Sequence, residues 1–155
     1  MEKLLIIVVS IVLLVVIALF VLGYMSHSSK AYDLVDGRLR PCPDAPNCVS
    51  SEVESDAEHY IEPLVYPADQ AAQVLQRLKA IIYDMGGSIQ EERADYLAAT
   101  FTSSVFRFVD DLELRIDTDQ NRIHLRSASR VGRSDLGANR KRVKLLKNAF
   151  HSMKD

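Results

Sequence analysis

Between residues 127 and 143 the chain reads SASRVGRSDLGANRKRV. Ser127, Ser129, Arg130, Arg133, Ser134, Asp135, Asn139, Arg140 and Arg142 crowd into this stretch. Guanidinium groups carry a permanent charge and a fork of N–H donors, so such a cluster suits a phosphate, a carboxylate or a lipid headgroup. Gly132 and Gly137 permit a tight turn between a strand and a helix. Ser134 or Asp135 can cap the helix start. Ser127 and Ser129 lie at period two on the incoming strand, so both hydroxyls point the same way. Arg140, Lys141 and Arg142 then fall in the first helical turns, where cations oppose the helix dipole at a cost of about a few tenths of a kcal/mol each. An anion at the helix start would offset that conflict. So would an internal ion pair of Asp135 with Arg130 or Arg140. A bound anion and a structural network are the two readings of this segment, beside a plainly solvated charged face.

An envelope hydrolase is the alternative class. It would need His124 to meet Ser127, Ser129 or Ser134, with Asp135 or Asp117 orienting the imidazole. No G-x-S-x-G turn, phosphate loop or H-E-x-x-H pattern occurs. No metal site or cofactor is expected. Nucleic acid is not an expected partner, because the net charge is -2 and the basic stretch has no interleaved aromatics. The acidic run Glu52, Glu54, Asp56, Glu58 instead suits a basic envelope protein as partner.

The only two cysteines, Cys42 and Cys48, sit in CPDAPNC. Pro41, Pro43 and Pro46 stiffen this loop, and Asp44 and Asn47 favour turns. A structural disulfide is the expected state, with free thiols and redox or metal chemistry as the alternatives. Two thiols do not fill a zinc site. A bridge belongs to an oxidising compartment.

Something must hold these groups, and the chain begins with a candidate anchor. Leu4 to Leu22 is apolar except for Ser10. Its length at about 1.5 Å per residue gives about 28 Å, close to the hydrocarbon thickness of a bilayer. The small-residue stretch SKA, 29–31, lies too far downstream for signal cleavage, so an uncleaved anchor is preferred. Lys30, Arg38 and Arg40 after the span favour a cytoplasmic domain by charge. The cysteines favour the outside, and on balance the expectation is a single-pass inner-membrane protein with its domain in the periplasm. Residues 1–26 read as cytoplasmic start and transmembrane anchor, 27–40 as a tether and 41–155 as one globular domain.

Within that domain HYIEPLVYP, 59–67, reads as a first strand. Ala71, Val74, Leu75, Leu78, Ile81, Ile82 and Met85 recur on one helical face, closed by Gly86 and Gly87. The period then changes to two. SIQEE, YLAATFTSS, FRFVDDLELRID and RIHLRSAS read as strands, with Leu97, Ala99, Phe101, Leu112, Leu114, Ile116, Ile123 and Leu125 facing inward. Glu113, Arg115 and Asp117 take the opposite face. A last helix runs from about Ala138 to Ser152. The expected fold is α+β: a transmembrane helix, then a two-layer sandwich of an antiparallel sheet with both helices on one face.

CPDAPNCVSS and SASRVGRSDLGANRKRV, in that order with a Phe-rich strand between, resemble the family catalogued as domain of unknown function 1499. The resemblance covers nearly everything after the tether. It implies an exported or membrane-attached bacterial or plastid protein. It carries no established reaction, so the chemistry stays with the residues themselves.

Overall fold

The computed structural model describes residues 1–28 and 33–152. The SKA stretch and part of the expected tether lie outside them. Helix α1 spans Glu2–Met25 and is long and apolar enough to cross a bilayer. Its side chains are exposed along nearly the whole length, as a helix apolar on every side requires of its surroundings.

The rest is an antiparallel sheet with two helices on one face. The strands are β1 (Cys48–Ser50), β2 (Leu64–Val65), β3 (Ser88–Glu92), β4 (Tyr96–Thr102), β5 (Val109–Asp117) and β6 (Arg122–Ser129). Their order is β1-β6-β5-β4-β3, and β2 also pairs with β6. Helix α2 (Ala71–Asp84) follows a 3-10 turn at Ala68–Gln70 that Pro67 precedes. Helix α3 (Ala138–Ser152) closes the domain. Gly86 ends α2 with a φ of 82°, the left-handed position a helix terminus favours.

The period-two reading of the inner face holds. Leu97, Ala99, Leu112, Leu114, Ile116, Ile123 and Leu125 form one core with Val74, Leu78, Ile81 and Ile82 of α2 and Val143, Leu146 and Phe150 of α3. Each large aliphatic side chain so buried contributes about 1.5–3 kcal/mol.

Three differences from the expected strands appear. The first expected strand, 59–67, is split at Pro63: Leu64–Val65 pairs with β6, while Tyr60 makes an isolated parallel bridge to Ser50. The strand that flanks β6 on its other stretch is Cys48–Ser50, set against Arg126, Ser127 and Ala128 by the disulfide loop before it. The expected FRFVDDLELRID strand starts at Val109, since Arg107 has a φ of 62° and belongs to the hairpin loop.

The outer face of the sheet is not bare. Leu34 and Leu39 pack on Tyr96 and Ala98, and both Leu39 and Tyr96 are buried. A tight turn with positive φ at Asp36 and Gly37 joins Val35 to Arg38 and folds this segment back on the sheet. The end of α1 is docked as well. Ser26 accepts the Val109 N–H on its hydroxyl (3.0 Å), and its carbonyl accepts from Arg130 Nη1 (3.2 Å). His27 Nε2 lies 2.9 Å from the Arg107 carbonyl. At Gly23 an added Cβ would stand 1.8 Å from the Phe106 carbonyl oxygen, so only glycine permits this approach.

Candidate functional site

Strand β6 divides the arginine-rich segment between two faces of the sheet. On the inner face Ser127 and Ser129 point together toward α3, as their spacing requires. Asn139, almost fully buried at 1% exposure, sits between them. Its Nδ2 donates to the Asn47 carbonyl (2.9 Å) and to Ser129 Oγ (3.0 Å), and its Oδ1 accepts from Ser127 Oγ (2.6 Å) and from Arg142 Nη1. Arg142 also donates to Asp110 Oδ2 (2.7 Å) and lies over the Phe101 ring. One amide thus joins the disulfide loop, β6 and α3, and Arg142 carries the network to β5.

The ion pair expected between Asp135 and Arg130 or Arg140 is not formed. Asp135 instead caps α3: its Oδ1 accepts the Gly137 N–H (2.9 Å) and its Oδ2 the Asn139 N–H (2.7 Å). Its carboxylate occupies the place an anion would take at that helix start, and it offsets the basic first turns. Arg140 donates to the Glu58 and Tyr60 carbonyls (2.7 and 3.2 Å). Arg133 and Ser134 stand exposed on the turn.

Arg130 leaves on the outer face and forms a two-pronged pair with Asp111, Nη2 to Oδ1 at 2.7 Å and Nε to Oδ2 at 2.9 Å. Beside it Arg126 Nη1 meets Glu113 Oε2 (2.9 Å), while Tyr96 donates its hydroxyl to Glu113 Oε1 (2.8 Å). Glu113 has no exposed surface and Arg126 retains 3%. Burial pushes the Glu113 carboxyl above its ordinary value despite the adjacent guanidinium. These residues line or underlie a cleft of about 770 Å³ beneath the disulfide loop. Arg40, Arg126 and Arg130 supply its charge; Val35, Pro41, Pro43, Ala45 and Ala128 supply apolar wall.

The loop itself is closed by the Cys42–Cys48 disulfide, with Cα atoms 5.6 Å apart. A short loop of this kind adds about 2 kcal/mol. His59 pins it from below. Its Nδ1 faces Asp56 Oδ2 (2.8 Å) and its Nε2 the Ala45 carbonyl (3.1 Å). Both are acceptors, so only the doubly protonated ring donates to each. Burial lowers the pKa, but the Asp56 carboxylate and the Ala45 carbonyl outweigh it, and the net shift is upward from 6.5. A raised folded-state pKa stabilises fully below 6.5 and the gain is lost as pH rises through the folded value. The thermal-midpoint deficit of His59→Gln should therefore be largest in mild acid and shrink toward alkaline pH, read by melting both proteins across that range.

His124 does not reach Ser127, Ser129 or Ser134. It points from the outer face of β6, and Ser127 and Ser129 point from the inner. Its Nδ1 lies 3.4 Å from Ser51 Oγ and 3.8 Å from Glu52 Oε2. Serine and acid thus face the same nitrogen, whereas a relay uses the two ring nitrogens separately. Ser51 Oγ is also engaged by the Leu125 N–H (2.8 Å). Burial holds the His124 pKa below its ordinary value. Glu52 pairs with Arg115 at 2.7 Å. Among the described residues no group of three or more His, Cys, Asp or Glu side chains could hold a metal ion.

Asp110, Asp111, Glu113, Arg126 and Arg40 are not among the site residues expected from the sequence. A usable signal existed: Arg126 and Arg130 share the parity of one face of β6, and Asp111 and Glu113 that of β5. No curated protein and no solved structure matches the chain. A family model described as Protein of unknown function (DUF1499) matches residues 38–150, which takes in the cleft lining except Val35, the disulfide loop and the Asn139 network.

Proposed function

Because the chain belongs to the DUF1499 family, whose description states no activity, function has to be read from geometry, and we propose a single-pass inner-membrane protein whose periplasmic domain binds an anionic amphiphile in the cleft beneath the disulfide loop. The observation that carries this reading is the cleft. Its volume of about 770 Å³ suits a small-molecule site. Arg40, Arg126 and Arg130 bring three guanidinium groups to its wall, beside prolines and alanines. An anionic headgroup with an apolar body matches that lining.

Placement supports the same ligand. Arg130, which lines the cleft, also donates to the Ser26 carbonyl at the end of α1. The cleft therefore opens beside the exit of the anchor, where amphiphiles concentrate. The disulfide supports the periplasmic side. Arg40 counts against that side in a positive-inside tally, but its place in the cleft gives its charge a binding role.

The test uses the full chain in neutral detergent micelles, titrated with dodecyl phosphate and separately with inorganic phosphate. Dodecyl phosphate should raise the thermal midpoint saturably, and Arg40→Gln should weaken the response. An equal effect of inorganic phosphate would make the ligand a free anion. A loss of response in Arg133→Ala, with Arg40→Gln unchanged, would move the site to the strand-to-helix turn. Identical responses in wild type and both variants would remove the binding reading.

A further inference from the structure

The β4–β5 hairpin loop, residues 103–108, reads SSVFRF. In a soluble hairpin this position would favour polar turn formers. Here Val105 is 62% exposed and Phe106 is only partly covered. What covers Phe106 is the helix that leads out of the membrane. Its ring meets Phe20 edge-on, with centroids 5.2 Å apart, and Phe108 meets Phe106 in turn.

Phe20 belongs to the apolar run Leu4 to Leu22. Counted from the midpoint of that run at Leu13, it lies about 10 Å along the helix axis, inside a hydrocarbon half-thickness of about 15 Å. A side chain in contact with Phe20 shares its depth. The contact is held and not incidental. The Phe106 carbonyl fills the space that Gly23 leaves, and His27 fixes the Arg107 carbonyl. The loop cannot be withdrawn from the bilayer without breaking these contacts.

We infer that the β4–β5 hairpin loop is a second membrane contact, with Val105 and Phe106 among the upper acyl chains and Arg107 at the headgroup phosphates. The sequence order suits this depth profile. An aliphatic and an aromatic residue precede a cation whose long stem lets its charge rise to the interface. Phe20, Tyr24, Phe106 and Arg107 border a depression of about 420 Å³ that acyl chains fill. The inference rests on α1 being the retained anchor of the proposed function.

The chain contains no tryptophan, so a single introduced indole reports its own surroundings. The full chain carrying Val105→Trp is reconstituted in phosphatidylcholine vesicles containing brominated acyl chains. Asp119→Trp serves as reference, because the β5–β6 turn stands at the far end of β5, about 27 Å away at about 3.4 Å per residue. Flotation of the vesicles reads the anchor independently. The expected result is blue-shifted emission from Val105→Trp, with bromolipid quenching several-fold above that of Asp119→Trp and weaker quenching by aqueous acrylamide. Equal quenching of the two variants in protein that floats would overturn the loop contact while leaving the anchor in place. Protein that fails to float would overturn both.

Discussion

Arg126→Ala should cost the domain about 3–5 kcal/mol, because it strands a carboxylate in the interior. Glu113 has no exposed surface, and the Tyr96 hydroxyl alone does not replace a guanidinium at 2.9 Å. A loss of that size is a large part of the stability of an ordinary domain and should show as a fall of many degrees in thermal midpoint. The double replacement Arg126→Met with Glu113→Leu should recover most of it, since removing both charges also removes their desolvation penalty. Recovery of stability together with loss of the dodecyl phosphate response would separate the two roles of Arg126. A single variant as stable as wild type would mean that Glu113 is already neutral in the fold.

Asn139→Ala should be the next most damaging change, at about 1–3 kcal/mol for the buried polar groups it leaves without partners. The Ser129 hydroxyl loses its donor, and Ser127 and Arg142 lose an acceptor. The disulfide loop also loses its direct tie to α3 through the Asn47 carbonyl. Chemical denaturation of the variant beside Ser134→Ala checks this. Ser134 is exposed on the same turn, so its loss should fall within about 0.5 kcal/mol of wild type. Equal effects would mean that the amide network adds nothing to the fold.

Both helices and the inner face of the sheet were legible because burial on one face imposes a period. The outer face was not. Glu113, Arg115 and Asp117 alternate with leucine and isoleucine as solvent-facing residues do, yet Glu113 is fully covered. Alternation reports which side a residue takes and says nothing of what lies over it. The covering segment, 33–47, has no period, and its local signals are the Asp36-Gly37 turn and the proline-stiffened cysteine loop. The disulfide was legible from a stiff local loop. The partners of Arg130 were not, since Asp111 and Ser26 are distant in sequence and meet it only through strand register and the docked helix. Asp135 could be assigned a cap from its position alone, while the competing ion pair required knowing where Arg130 points.

Strand β6 accepts β1 and β2 along one edge and β5 along the other, and this imposes an order of assembly on the growing chain. Synthesis from the N-terminus delivers β1 and β2 long before β6. At synthesis rates of about 5–20 residues per second, these segments wait for several seconds with their ladder groups unpaired. During that interval an oxidant can close the six-residue cysteine loop, because it needs nothing downstream. The partners of β1 need residues 126–128. Chains that stall before Arg122 would display unpaired edges and the apolar side of α2 together, the state in which proteases and holdases recognise a client.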